Sequence, residues 1–114
     1  MTEGTKFDTQ KNRLDLIPAE VMEALGKVLT HGSRKYGDNN WQQGIEYRRV
    51  YGAIQRHLNA WRKGERVDED SGLMHLWNAF TELAFLIYYE QYPDTYKNFN
   101  TFLTEWNRHG KNIQ

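Results

Sequence analysis

The chain has 114 residues, with fifteen Lys and Arg balanced by fifteen Asp and Glu and no cysteine. Zero net charge excludes a domain-wide basic footprint for nucleic acid, and the lack of cysteine excludes disulfides, thiolate metal sites and a cysteine nucleophile. The start MTEGTKFDTQ has no apolar signal-peptide core, and the longest apolar run, LAFLIYY, is too short to span a bilayer, so one cytoplasmic domain is expected.

Residues 1–16 read as a polar arm with scattered apolar residues and no helical period, which by composition alone is disordered. Three core helices are expected within 17–91. The first opens at IPAEVMEALGKVLTHG: Pro18 suits the first turn, Glu20 and Glu23 match the positive end of the dipole, and Gly32 stands ready to end it. Its apolar stripe is Val21, Leu25, Val28 and Leu29. The second, YRRVYGAIQRHLNAWRKG, carries Val50, Ile54, Leu58 and Trp61 on one face and closes at Gly64.

After the loop ERVDED comes a third, central helix with Leu73, Leu76, Trp77, Phe80, Leu83, Ala84 and Ile87 at helical spacing, stopped by Pro93. A last helix over 94–109 puts Tyr96, Phe99, Leu103 and Trp106 on one side, leaving much of that aromatic face for a second subunit. Alternating β-branched runs are scarce. The expected fold is all-α and like a four-helix bundle.

Chemistry concentrates in a few places. The segment HGSRKYGDNNWQQG packs cations, amides and aromatics between glycines: Arg34 and Lys35 suit phosphates, Tyr36 or Trp41 can stack on a base, and Asn39 and Asn40 can read base edges. It is equally a solvent loop anchored by two aromatics. No Walker or dinucleotide glycine pattern is present. On the third helix His75, Asn78 and Glu82 form a narrow polar stripe, which reads as a wet face between two apolar seams or as a site. Glu20 and Glu23, three residues apart, put two carboxylates on one side of the first helix. Asp70 or Ser71 is placed to cap the third helix, with Asp70 about a turn from His75. Arg56 and His57 point in different directions from the second helix, one a phosphate fork and the other a base or donor.

The residues KFDTQKNRLDLIPAEVMEAL, KYGDNNW, the RH of the second helix and DSGLMHLWNA together resemble the bacteriophage dATP/dGTP diphosphohydrolase domain, over about residues 5 to 90. That group is similar to the all-α nucleoside triphosphate pyrophosphohydrolases of the MazG kind. The resemblance implies an oligomeric all-α enzyme, dimer or tetramer, that uses Mg²⁺ or Mn²⁺ to split a purine deoxynucleoside triphosphate into monophosphate and pyrophosphate. It implies Glu20 and Glu23 as metal ligands, with Asp70 and Asn78 in the same cluster and His75 in catalysis. It implies Lys35, Arg56 and His57 on phosphates, and Tyr36, Asn40 and Trp41 on base or sugar. It also folds the arm over the site, bringing Lys6, Lys11 and Arg13 to the substrate. The alternative on this scaffold is a non-catalytic protein that sequesters a nucleotide or a nucleotide signal.

Overall fold

The computed structural model of the chain describes residues 4–108. Among the described residues five helices follow in order: α1 (Ala19–Tyr36), α2 (Tyr47–Arg62), α3 (His75–Gln91), α4 (Pro93–Tyr96) and α5 (Leu103–Arg108). Single 3-10 turns occupy Leu14–Leu16, Asn40–Gln43 and Lys97–Phe99. No strand occurs among the described residues, and one isolated antiparallel bridge joins Val67 to Met74. The fold is all-α, as expected.

α1 runs a full turn beyond Gly32. An interior glycine costs only about 1 kcal/mol relative to alanine, and half-buried Leu25, Val28 and Leu29 sit on either side of the turn before it. The helix ends instead at Gly37, whose φ of 95° carries the chain away while its N–H still reaches the Ser33 carbonyl. α3 begins later than its pattern suggested, at His75. Neither Asp70 nor Ser71 caps it: Ser71 Oγ accepts from the Leu73 N–H, and the His75 N–H is spent on the Arg66 carbonyl.

The core lies where α2 crosses α3. Tyr47, Val50 and Ile54 from α2 meet Ala79 and Tyr89 from α3, and Tyr96 of α4 closes the cluster. The expected helix over 94–109 breaks into α4, a 3-10 turn and α5, because the Asn100 side-chain oxygen takes the Phe102 N–H at 3.0 Å and competes with a continuous ladder. His109 lies outside the described residues. Of the expected aromatic face, Tyr96 and Phe99 pack on the chain's own core, while Leu103 stays exposed.

α3 departs most from its pattern. Leu76, Phe80, Leu83 and Ile87 are all more than a third exposed, whereas His75, Asn78 and Thr81 are buried. The polar stripe is not the wet face. It turns inward, and the apolar stripe at spacings of four, three and four is left bare.

Gly44 is the tightest point of the fold. Its φ is 110°, and a Cβ there would overlap the half-buried Phe99 ring. Gly44→Ala is therefore expected to destabilise the protein by about 1–3 kcal/mol, from backbone strain plus overpacking. Urea denaturation checks this, and a midpoint equal to that of the parent chain would contradict the packing.

Candidate functional site

A cavity of about 1140 Å³ opens between the C-terminal half of α1, the Gly37–Ile45 connection, the start of α2 and the inward side of α3. Its position follows from local folding. Gly37 (φ 95°) and Asn39 in the left-handed region (φ 58°) turn the chain sharply, and Ser33 donates to the Asp38 carboxylate to close the turn. Two tyrosines from the core then fasten the next 3-10 turn from beneath. Tyr89 donates to the Trp41 carbonyl at 2.5 Å, and Tyr96 to the Gln42 carbonyl at 2.6 Å.

The walls divide by chemistry. Lys35, Arg48, Arg49 and Arg56 bring cations, while Asp38, Asp68, Asp70 and Glu82 bring carboxyls. Arg48 is already engaged by Glu105 and lies over the Phe102 ring at 4.5 Å. Arg56 folds back over Gly52, where a side chain would meet its guanidinium at 3.1 Å. Trp41 and Phe85 stack at 4.7 Å and form the apolar end, and Thr81, Asn78 and Ser71 supply neutral polar groups. Asn78 donates to Ser71 Oγ at 3.3 Å, and Ser71 donates to Asp68 at 3.1 Å, so this corner is internally ordered.

Glu82 is the exceptional titratable group. Burial pushes its carboxyl up to about 7, opposed by the Arg56 guanidinium. A carboxyl so placed changes charge near neutrality, which suits proton transfer.

Seven of the sequence-expected site residues line this cavity together: Lys35, Tyr36, Asn40, Trp41, Arg56, Asp70 and Asn78. Five do not. Lys11 and the whole exposed arm from residue 4 to 18 stay off the walls. Glu20 is exposed on α1, and Glu23 borders a separate hollow of about 520 Å³ with Lys27, His31 and Arg34. His57 and His75 face each other outside the cavity, their Nδ1 atoms 2.8 Å apart. Glu20 and Glu23 are thus not brought together with Asp70 and Asn78. Among the described residues no three His, Cys, Asp or Glu side chains are placed to hold one metal ion. Sequence reasoning missed Arg49, Thr81 and Phe85 as wall residues, and of its two readings for the stripe that holds Glu82, a wet face or a site, Glu82 follows the second by lining the cavity. The i, i+3, i+7 spacing of Asn78, Thr81 and Phe85 was the signal that could have found this wall.

Two comparisons with known proteins bear on this cavity. Residues 1–98 match the family described as dATP/dGTP diphosphohydrolase, N-terminal. The chain is also 36% identical over 85 residues to a dATP/dGTP diphosphohydrolase of Salmonella phage PMBT28, an alignment covering 75% of this chain and 29% of that protein. The chain therefore spans less than a third of that relative's length. No solved structure matches it.

Proposed function

The chain belongs to the dATP/dGTP diphosphohydrolase N-terminal family, and from that premise we propose that its cavity binds a purine deoxynucleoside triphosphate and hydrolyses it to monophosphate and pyrophosphate. Water adds to the α-phosphorus, the bond from that phosphorus to the oxygen bridging to the β-phosphate breaks, and pyrophosphate leaves. The observation that carries the reading is one cavity in which cationic forks, a near-neutral carboxyl and a stacked aromatic pair face the same space.

Arg49, Arg56 and Lys35 hold phosphate oxygens. Phe85 and Trp41 supply the apolar end against which the base rests, with Asn40 and Tyr36 at its rim. Glu82 in its ionised form takes the proton of the attacking water. Mg²⁺ or Mn²⁺ is bound in such sites through one or two carboxylates plus substrate phosphates. Asp68 and Asp70, both on the cavity wall, fit that requirement and would hold the ion, which neutralises triphosphate charge when bound.

A second copy of the chain covers the bare side of α3. Leu76, Phe80, Leu83 and Ile87, with Val21 and Met22 of α1, are the exposed apolar residues in need of cover. Dilution in analytical ultracentrifugation should show an oligomer, and Leu83→Glu should dissociate it. A monomer at every concentration would refute the pairing.

The activity is tested by incubating the protein with each dNTP and NTP, with Mg²⁺ or Mn²⁺, and resolving products by anion exchange. Purine monophosphate with pyrophosphate is expected. Arg56→Ala should lower kcat/KM by about 10- to 100-fold, the worth of a hydrogen bond to a charged group. Complete recovery of every triphosphate would overturn the assignment.

A further inference from the structure

A water molecule carries two hydrogens, and in the proposed hydrolysis the Glu82 carboxylate on the cavity wall takes one of them. Held at that single point, the water still turns about the bond, and its attacking lone pair sweeps past the α-phosphorus instead of facing it. A second acceptor beside Glu82 stops that rotation. The neutral polar groups on the same wall include Ser71, Asn78 and Thr81, and their protons can be counted.

Thr81 Oγ1 donates to the Trp77 carbonyl at 2.9 Å, inside its own helix. Ser71 has one hydroxyl proton, and it goes to Asp68, because a carboxylate 3.1 Å away can only accept. The Leu73 N–H meets the same Oγ at 3.2 Å. Ser71 therefore has only a lone pair left, and Asn78, 3.3 Å away, must meet it with its amide nitrogen. This fixes the orientation of the amide and turns its Oδ1 away from Ser71. Among the described residues that oxygen has no hydrogen-bond partner, and the one buried side-chain polar atom left unpaired is His75 Nε2. The Asn78 oxygen is thus open to the cavity that Asn78 lines.

Asn78 precedes Glu82 by one turn of α3, a spacing that puts Cβ atoms about 5–6 Å apart on one side of a helix. Two acceptors on one water, each about 2.7–2.8 Å from its oxygen at a tetrahedral angle, stand about 4.5 Å apart. Side chains at this helical spacing span that gap. Building on the hydrolase reading of the cavity, we propose that Asn78 Oδ1 and the Glu82 carboxylate hold the attacking water between them, with Asn78 as its positioning residue. As the water oxygen bonds to the α-phosphorus, one hydrogen passes to Glu82. The other, hydrogen-bonded to Asn78 during the approach, stays on that oxygen and leaves with the monophosphate. The bond to the bridging oxygen breaks, and pyrophosphate departs with its electron pair. Ser71 and Asp68 brace the amide so that its oxygen faces the water. An amide nitrogen there would donate to the very lone pair that must attack.

The test compares the parent chain with Asn78→Leu, which is close to the amide in size and carries no oxygen. With dATP or dGTP and Mg²⁺, kcat should fall by about 10- to 100-fold, while KM and the Mg²⁺ requirement stay unchanged. The α,β-methylene analogue of dATP, which cannot be split at that position, should bind both chains equally by calorimetry. That binding also reports a folded variant. Asn78→Ala, which adds no bulk beside Ser71, carries the same expectations where the leucine variant does not fold. An unchanged kcat would overturn the proposal. So would a raised KM, weaker analogue binding or a greater Mg²⁺ requirement, each of which would make Asn78 a ligand of substrate or metal. A parent chain that splits no triphosphate sinks the hydrolase reading and this proposal with it, whereas an active parent beside an equally active Asn78→Leu sinks the role of Asn78 alone.

Discussion

Tyr89→Ala is expected to destabilise the protein by about 3–5 kcal/mol, the range for emptying a large aromatic site. Tyr89 is fully buried, lies parallel to Tyr47 at 5.7 Å, and touches the Tyr96 ring at 4.5 Å. Its hydroxyl also holds the Trp41 carbonyl, so truncation opens a void in the core and releases the turn that borders the surface cavity. Total stabilities are about 5–15 kcal/mol, so the variant should be largely unfolded at modest urea. Tyr89→Phe separates the two roles. It keeps the rings packed, and because the Gly44 N–H still reaches the Trp41 carbonyl, the loss should be only about 1 kcal/mol. Urea denaturation of both variants checks the pair. Equal losses would mean that the hydroxyl, not the packed ring, dominates.

Glu82→Gln should have opposite effects on stability and turnover. The folded chain holds the Glu82 proton up to about 7, against an ordinary 4.5, so between those values it binds more protons than the unfolded chain. The contribution is complete below the unfolded value and is lost as pH rises through about 7. The parent chain should therefore be weakened at alkaline pH by up to about 3 kcal/mol, less where solvent reaches the cavity mouth. Glutamine carries no charge to bury. The variant should melt above the parent at pH about 8.5 and close to it at pH about 5. Turnover should fall by about 10²- to 10⁴-fold, the worth of a general base. Parallel melting curves across pH would dismiss the buried carboxylate, and undiminished turnover would remove Glu82 from proton transfer.

The long helices were legible because their residues repeat at helical spacing, and Val50 and Ile54 of α2 are buried as that spacing requires. Boundaries were less legible. Gly32 is a poor helix residue by propensity, yet tertiary contact carries α1 past it. The loop chemistry around Lys35, Tyr36, Asn40 and Trp41 was readable from residue types alone, and all four border the cavity. The orientation of α3 was not. Periodicity identifies stripes, but only the packing of α2 decides that Asn78 and Glu82 turn inward while Phe80 and Leu83 turn out. Glu20 and Glu23 illustrate the same limit: their spacing gives a shared side of α1, and that side is not a wall of the cavity.

Four different surfaces are thus cut into one rod. α3 presents the cavity wall on one side, the tyrosine core on another, His75 at its first residue, and the bare apolar stripe outside. A helix with side chains has a radius of about 5–6 Å, so turning it by about 20° sweeps every one of these surfaces through about 2 Å at once. No surface can be adjusted alone. Whatever grips the outer stripe sets, through plain rotation, the reach of Glu82 into the cavity on the other side.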